Sequence, residues 1–430
     1  MPKPTRAEKL QRRQIKSPPA GLYWLLMQVA KLLARMDNTH FTYKAYPAKE
    51  QGGIVMIANH SSRVDYEFTG PPCYPKRLNF VVGYNEFFRF PTSILLPLMQ
   101  VIPKKNFTPD RYAVREMLRV AKQGGSICIM PEGMSSITGM AQPIIPGGAK
   151  LIKKLGLPVF YSKISGAYLT YTTHCLDRRK GRVDVTVDRM FTAEQLQALS
   201  VDEIEDTMNR LLAHDDYIWN ETARVKFHGK GQMTKQLGTL LYLCPRCGAK
   251  YQMESDGNAM RCAECGNTVE IDETYALHPA EGSICPTRVT DWTILERKRA
   301  AEEVRRAGFR HSGHVKVGVL PDRKPLFGDA TSVIAGEGTL TLDREGLHYD
   351  GTLENAPFHF DIPSAQLPTY GMCTDISRFY LFLDGRFLEF YPDAGDVLYW
   401  DHLTEELHRA QGGKWQNTAY RHTEISDEII

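Results

Sequence analysis

The sequence predicts an α/β domain with a largely parallel core sheet, then a small cysteine-held ribbon, then a mainly antiparallel β domain. Three observations carry that expectation. Up to about residue 225, short apolar runs bounded by turn formers alternate with stretches of helical periodicity. Four cysteines then fall in two close pairs. Beyond Pro321 the apolar residues alternate in short runs joined by tight turns such as Asp384-Gly385.

In chain order, a basic arm comes first: Lys3, Arg6, Lys9, Arg12, Arg13 and Lys16 stand against Glu8. It runs into GLYWLLMQVAKLLARM, residues 21–36, so residues 1–36 form one unit. Gln28, Lys31 and Arg35 interrupt that stretch, which falls short of the roughly 20 apolar residues a transmembrane helix needs. It also lacks the small-residue cleavage site of a secretory signal. Two readings stay open. One is a packed first helix with a basic tail. The other is an interfacial anchor, with Trp24, Leu25, Leu26 and Leu32 in the headgroup boundary and the arm drawn to anionic lipid.

Residues 37–235 hold the α/β pattern. GIVMIAN (53–59), LNFVVG (78–83), GSICIMP (125–131) and PVFYSKIS (158–165) read as core strands. DRYAVREMLRVAKQG (110–124) and GGAKLIKKLG (147–156) read as helices, the second closed by Gly156, and residues 194–224 continue as helix. The ribbon covers 240–275, and a charged helix at 291–310 is expected to serve as a linker across 290–312. A β-rich domain spans 313–412, with strands at 338–343, 346–351, 358–362, 378–385 and 386–392 and an amphipathic helix at 396–411. A tail occupies 413–430.

At 430 residues the chain exceeds one ordinary core, and 42% hydrophobic with 24% charged residues is the composition of a folded protein. A formal net charge of +3 is too small to argue for nucleic acid. Cys73, Cys128, Cys175, Cys285 and Cys373 are scattered as reduced thiols are, which favours a reducing compartment.

The other four cysteines form two C-x-x-C-G knuckles: Cys244 and Cys247 before Gly248, Cys262 and Cys265 before Gly266. Each two-residue spacer lets both thiolates face one point, and the glycine lets the backbone turn behind the sulfurs. Four thiolates close a tetrahedral Zn²⁺ site with no position left for water, so the zinc is structural. A redox C-x-x-C and a rubredoxin-like iron site are the alternatives. Arg246, Lys250 and Arg261 are mixed with Glu254, Asp256 and Glu264, so no basic stripe emerges and nucleic acid is not an expected partner.

Chemistry points elsewhere. The run IVMIAN ends on Asn59-His60, and Asp65 follows where a helix would begin. A turn between them would return the carboxylate to the imidazole, fixing one tautomer and stabilising its cation. A structural pair at a strand end is the bland alternative. With no G-x-S-x-G elbow, the base would act on a substrate hydroxyl. A second apolar run breaks at Pro131-Glu132-Gly133, beside Ser135 and Ser136, over the crevice where α/β sheets bind ligands. A third ends on Lys104-Lys105, where paired lysines can receive a phosphate or lie on a solvated turn.

In this order the constellation resembles the glycerolipid acyltransferase family, which includes the 1-acylglycerol-3-phosphate acyltransferases. Asn59, His60 and Asp65 match its Asn-His-x4-Asp motif. Ile102-Pro103-Lys104-Lys105 approximates the second motif, Met130-Pro131-Glu132-Gly133-Met134-Ser135-Ser136 stands for Phe-Pro-Glu-Gly-Thr-Arg-Ser, and Leu157-Pro158-Val159-Phe160 for the fourth. The resemblance covers roughly residues 20–225. It implies an O-acyltransferase in which His60 deprotonates an acceptor hydroxyl and Asp65 orients His60. It also implies that Asn59, Lys104, Lys105, Glu132, Gly133, Ser135 and Ser136 hold the substrates. The donor would be acyl-CoA or acyl-acyl carrier protein, and the acceptor a lysophospholipid such as 1-acylglycerol-3-phosphate. The protein would sit peripherally on the cytoplasmic face of a membrane, with acyl carrier protein a further partner. Met134 and Ser135 replace the usual threonine and arginine, which leaves open a non-phosphorylated acceptor, or a degenerate fold serving as a lipid-binding scaffold. The C-terminal strands with their closing helix look like a pleckstrin-homology or GRAM-type barrel.

Overall fold

In the computed structural model, which describes residues 4–413, the strand Val55–Ala58 is buried on both faces. Lys3 of the basic arm and nearly all of the expected tail lie outside the described residues. Met56 and Ala58 face one helical layer while Val55 and Ile57 face the other, the pattern of a strand central to a covered sheet. It is β2 of seven: β1 (Thr39–Tyr43), β2, β3 (Leu78–Gly83), β4 (Ile102–Lys104), β5 (Ser126–Ile129), β6 (Val159–Ser165) and β7 (Val183–Phe191), in the order β1-β7-β6-β2-β5-β3-β4. The pairs β2/β5, β2/β6, β3/β5, β3/β4 and β1/β7 are parallel, and β6/β7 is antiparallel. The sheet is therefore largely parallel, and β2 to β6 all deliver their carboxyl ends to one edge.

The expected helices at 110–124 and 147–156 are Arg111–Lys122 and Gly148–Leu155, the second ending on Gly156 in the left-handed region. Residues 194–224 are not one helix. Ser200 and Asp215 each accept main-chain N–H bonds as N-caps, so helices Ala193–Ala198, Val201–Leu212 and Asp216–Ala223 start anew. Near the N-terminus, helix Ala20–Met36 turns Tyr23, Met27, Ala30 and Ala34 into the core and leaves Trp24, Leu25, Leu32 and Met36 exposed. Leu26, expected on the outer face, packs against the core instead. No helix among the described residues is long and apolar enough to cross a membrane.

The ribbon is a four-stranded antiparallel sheet of β8 (Met253–Asp256), β9 (Ala259–Cys262), β10 (Thr268–Ile271) and β11 (Leu277–Pro279), running slightly past residue 275. Helix Val289–Val304 is no exposed linker. Trp292 is fully buried and donates its Nε1–H to the Leu243 carbonyl at 2.7 Å, Glu296 accepts the Leu243 N–H at 2.9 Å, and Arg297 pairs with Glu405 of the last helix. Its charged residues obscured this in the sequence, because their partners come from remote segments.

The β-rich domain comprises β12 (Arg310–Val319), β13 (Val333–Asp343), β14 (Gly346–Leu353), β15 (Ala356–Pro363), β16 (Gly371–Met372), β17 (Phe379–Leu383) and β18 (Arg386–Pro392), with helix Val397–Ala410 after them. All pairings are antiparallel, in the order β15-β14-β13-β12-β18-β17-β16. Asp384-Gly385 forms the expected two-residue turn, both residues at positive φ. Strand β12 lies where no strand was expected, since GHVK within it breaks the apolar alternation.

Candidate active site

Because β2 and β5 are adjacent and parallel, with Ile57 opposite Ile129, their carboxyl ends bring His60 and Glu132 to the same place. His60 Nδ1 lies 2.8 Å from Asp65 Oδ2. Asp65 is buried at the start of helix Tyr66–Cys73, and its side chain turns back instead of capping that helix. Ser62 fixes it there: the Ser62 hydroxyl and N–H donate to Oδ1 at 2.6 and 3.0 Å. With an anionic acceptor at Nδ1, the imidazole carries its proton on that nitrogen and leaves the Nε2 lone pair free. The His60 side chain is 23% exposed, so the ring is open to a substrate while its partner is sealed off.

Glu132 has a role other than gripping an acceptor. Its carboxylate is buried, Oε1 accepts the His60 N–H at 2.9 Å, and Oε2 accepts the Gln142 N–H at 2.8 Å. Ser136 completes the clasp by donating its N–H to the His60 carbonyl at 2.7 Å. Glu132 thus positions the main chain of the base. Burial pushes its carboxyl up to about 7, against the opposing pull of the two N–H bonds and His60. Gly133 sits at φ +81°, where a Cβ would also meet Ile145 Cγ2 at 3.1 Å, so the turn after Glu132 requires glycine.

Three further expectations change. Asn59 is buried and exchanges amide bonds with Ile164 of β6, accepting its N–H and donating to its carbonyl, both at 2.8 Å. It locks the strand end, and its amide is engaged there. Ser136 spends its hydroxyl inside its own loop, accepting from the Gly139 N–H and donating to the Met140 carbonyl. Lys105 donates Nζ to the Gly385 carbonyl at 2.7 Å and lies over the Tyr84 and Phe382 rings, so it docks the β17–β18 hairpin. Lys104 ends β4 at the crevice edge, its Nζ donating to the Lys105 carbonyl at 3.1 Å and its pKa lowered by burial, partly offset by Asp110. Ser135 is half-buried in the motif turn.

Met134, in place of the usual threonine, is buried and accepts the Met372 N–H on sulfur at 3.2 Å, while Asn106 donates to the Tyr380 hydroxyl at 3.2 Å. The β-rich domain therefore closes over the second and third motifs. Sequence reasoning missed these contacts, and no local signal marks them. Ser62 was within sight, three residues before Asp65 inside the first motif.

The cysteine cluster also assembles. Sγ of Cys244 and Cys265 are 3.7 Å apart, those of Cys247 and Cys262 3.8 Å, and all four lie within 4.8 Å of one another. A tetrahedron of thiolates about 2.3 Å from zinc has edges of about 3.8 Å, so the donor set fits a four-cysteine Zn²⁺ ion. The two knuckles repeat one pattern: Gly248 and Gly266, both at positive φ, donate their N–H to the Cys244 and Cys262 carbonyls at 2.9 Å.

Comparison with known proteins places residues 40–162 in the family model described as Acyltransferase. Among solved structures, the chain is similar to the 1-acyl-sn-glycerophosphate (LPA) acyltransferase PlsC from Thermotoga maritima. The identity is 16% and the TM-score 0.35, over 44% of this chain and 78% of that one.

Proposed function

We propose, from the match of residues 40–162 to the acyltransferase family model, that the protein moves a fatty acyl group from a thioester to a hydroxyl of a lysophospholipid such as 1-acylglycerol-3-phosphate. The observation that carries this reading is the His60–Asp65 pair, with its free Nε2 at the carboxyl end of the central strand.

As the acceptor oxygen attacks the thioester carbonyl, Nε2 takes the hydroxyl proton and Asp65 stabilises the resulting imidazolium. The tetrahedral oxyanion then collapses, the C–S bond breaks, and the imidazolium returns the proton to the departing thiolate. An ester and a free thiol result. Glu132 and Ser136 hold the His60 main chain in register, and Lys104 is the cation placed to meet a phosphate of acceptor or donor. The donor is acyl-CoA or acyl-acyl carrier protein. The zinc site has no part in these steps; bound metal would hold the ribbon together.

The exposed Trp24, Leu25, Leu32 and Met36 on helix Ala20–Met36 support a peripheral position at a membrane surface, where both substrates reside. We place it on the cytoplasmic face. A second reading, transfer to a non-phosphorylated acceptor, is favoured by the engagement of Lys105 with Gly385 and by Ser135 standing where an arginine is usual. An acyl-transfer assay over a panel of lysolipids and neutral hydroxylated acceptors decides between the two. Transfer to none of them contradicts both.

A further inference from the structure

Helix Arg6–Arg12, helix Thr92–Leu98 and the segment Asp322–Arg323 enclose a groove of about 440 Å³ that none of the acyltransferase motif residues line. Its charged lining is Arg6, Lys9, Arg13 and Arg323 against the one acid Asp322. Arg6 donates to the Ser93 carbonyl at 3.0 Å and Arg13 to the Pro97 carbonyl at 2.7 Å, so uncharged groups hold both guanidiniums in the wall. Arg13 Nη1 is buried with no hydrogen-bond partner. Four cations facing one acid, with a buried donor left over, suit an anionic ligand.

The flank of the groove says where that anion resides. Ser93 and Pro97 face the groove, while Ile94, Leu95 and Leu98 of the same helix are about half exposed. Next to them Phe90 lies against Phe327 with ring centroids 5.4 Å apart and the rings tilted by 31°, and both residues are at least half open to solvent. Such a ridge is unfavourable in water and favourable in the headgroup boundary of a bilayer. These elements share one hydrophobic cluster with helix Ala20–Met36, through Leu10, Phe88 and Met99, so the ridge belongs to the layer that carries the exposed Trp24.

We infer that this groove binds the phosphate of an anionic phospholipid headgroup, with Ile94, Leu95, Leu98, Phe90 and Phe327 entering the bilayer surface beside it. The inference rests on the membrane-surface reading above and adds a defined headgroup site to it.

Vesicle co-sedimentation of the full chain tests it, using phosphatidylcholine alone and four parts phosphatidylcholine to one of phosphatidylglycerol. Phosphatidylglycerol is neither substrate nor product of transfer to 1-acylglycerol-3-phosphate, and no thioester is present to support turnover. Lys9 and Arg323 are exposed, so Lys9→Glu with Arg323→Glu leaves the core intact. That pair should weaken binding to the mixed vesicles about tenfold or more, and the neutral pair Lys9→Gln with Arg323→Gln should weaken it less. Lys150→Glu with Lys154→Glu, exposed on the opposite layer, should bind as the wild type does. Equal losses from both reversal pairs would mean diffuse attraction and overturn the site, as would no loss from the first pair. Saturable binding of inorganic phosphate that displaces the protein from vesicles would make this a free-phosphate site and overturn the lipid assignment. Wild-type protein that sediments with neither vesicle would remove the membrane-surface reading itself, an outcome distinct from insensitivity to the reversals.

Discussion

The Glu132 carboxylate accepts the main-chain N–H of His60 at 2.9 Å, so the third motif steadies the first through its backbone. Glu132→Gln keeps the volume but turns one acceptor into an amide NH₂ that must face an N–H donor. Stability should fall by about 1–3 kcal/mol. kcat should fall as well, because His60 loses its register, while KM for the thioester changes little. Urea unfolding and steady-state kinetics check the two halves separately.

The same carboxyl gives a pH dependence with a definite sign. Burial lifts Glu132 to about 7, from an ordinary value of 4.5. The folded chain therefore holds this proton more tightly than the unfolded chain does. The resulting stability is fully present below the ordinary value and is lost as pH rises through about 7. Glu67 and Asp215, raised by burial to about 7 and about 6, act in the same direction. Wild type should lose more stability between about pH 5 and about pH 8 than Glu132→Gln does, and unfolding curves at the two pH values measure the difference.

The two lysines of the second motif should separate. Lys104→Ala should raise KM for a phosphorylated acceptor about tenfold or more, the worth of one charge-assisted hydrogen bond, and leave a neutral acceptor unaffected. Lys105→Ala should instead remove about 0.5–1.5 kcal/mol of stability by freeing the Gly385 carbonyl, with little effect on KM. Equal effects on KM would mean that the Lys105–Gly385 bond opens during turnover.

Metal analysis of the purified chain should find one zinc ion. A structural four-cysteine site contributes on the order of 10 kcal/mol to the unit it closes. The ribbon core of Met260, Val269 and Ile271 is continuous with Trp292 and the β-rich domain. Cys262→Ser should therefore abolish tight metal binding and lower the melting temperature of the C-terminal half. A zinc-free variant with an unchanged melting profile would contradict a structural role.

What the sequence revealed followed from locality. The core strands β2, β3, β5 and β6 are short, rich in apolar residues and bounded by turns, so each was visible without its neighbours, whereas the exposed edge strand β1 was not. The His60–Asp65 pair and each of the two knuckles are six-residue and four-residue arrangements that a single turn closes. What stayed hidden depends on remote partners. Asn59 reads as a motif residue until Ile164 claims its amide, Lys105 as a free cation until Gly385 arrives, and helix Val289–Val304 as a charged linker until Glu405 and Leu243 meet its polar groups. Interruption also hid structure: Ser200 and Asp215 are ordinary polar residues in a helical pattern, and only their cap bonds end one helix and begin another.

The central claim is that the free nitrogen of His60, held by Asp65, removes the proton of an acceptor hydroxyl. Single-turnover transfer from an acyl thioester to the best lysolipid acceptor, comparing wild type, His60→Ala and Asp65→Asn, tests it most directly. His60→Ala should slow transfer by about 10²–10⁴-fold. Asp65→Asn should slow it as well, with the loss concentrated in the chemical step. Transfer at the wild-type rate by His60→Ala, in a chain that melts at the wild-type temperature, would contradict the account.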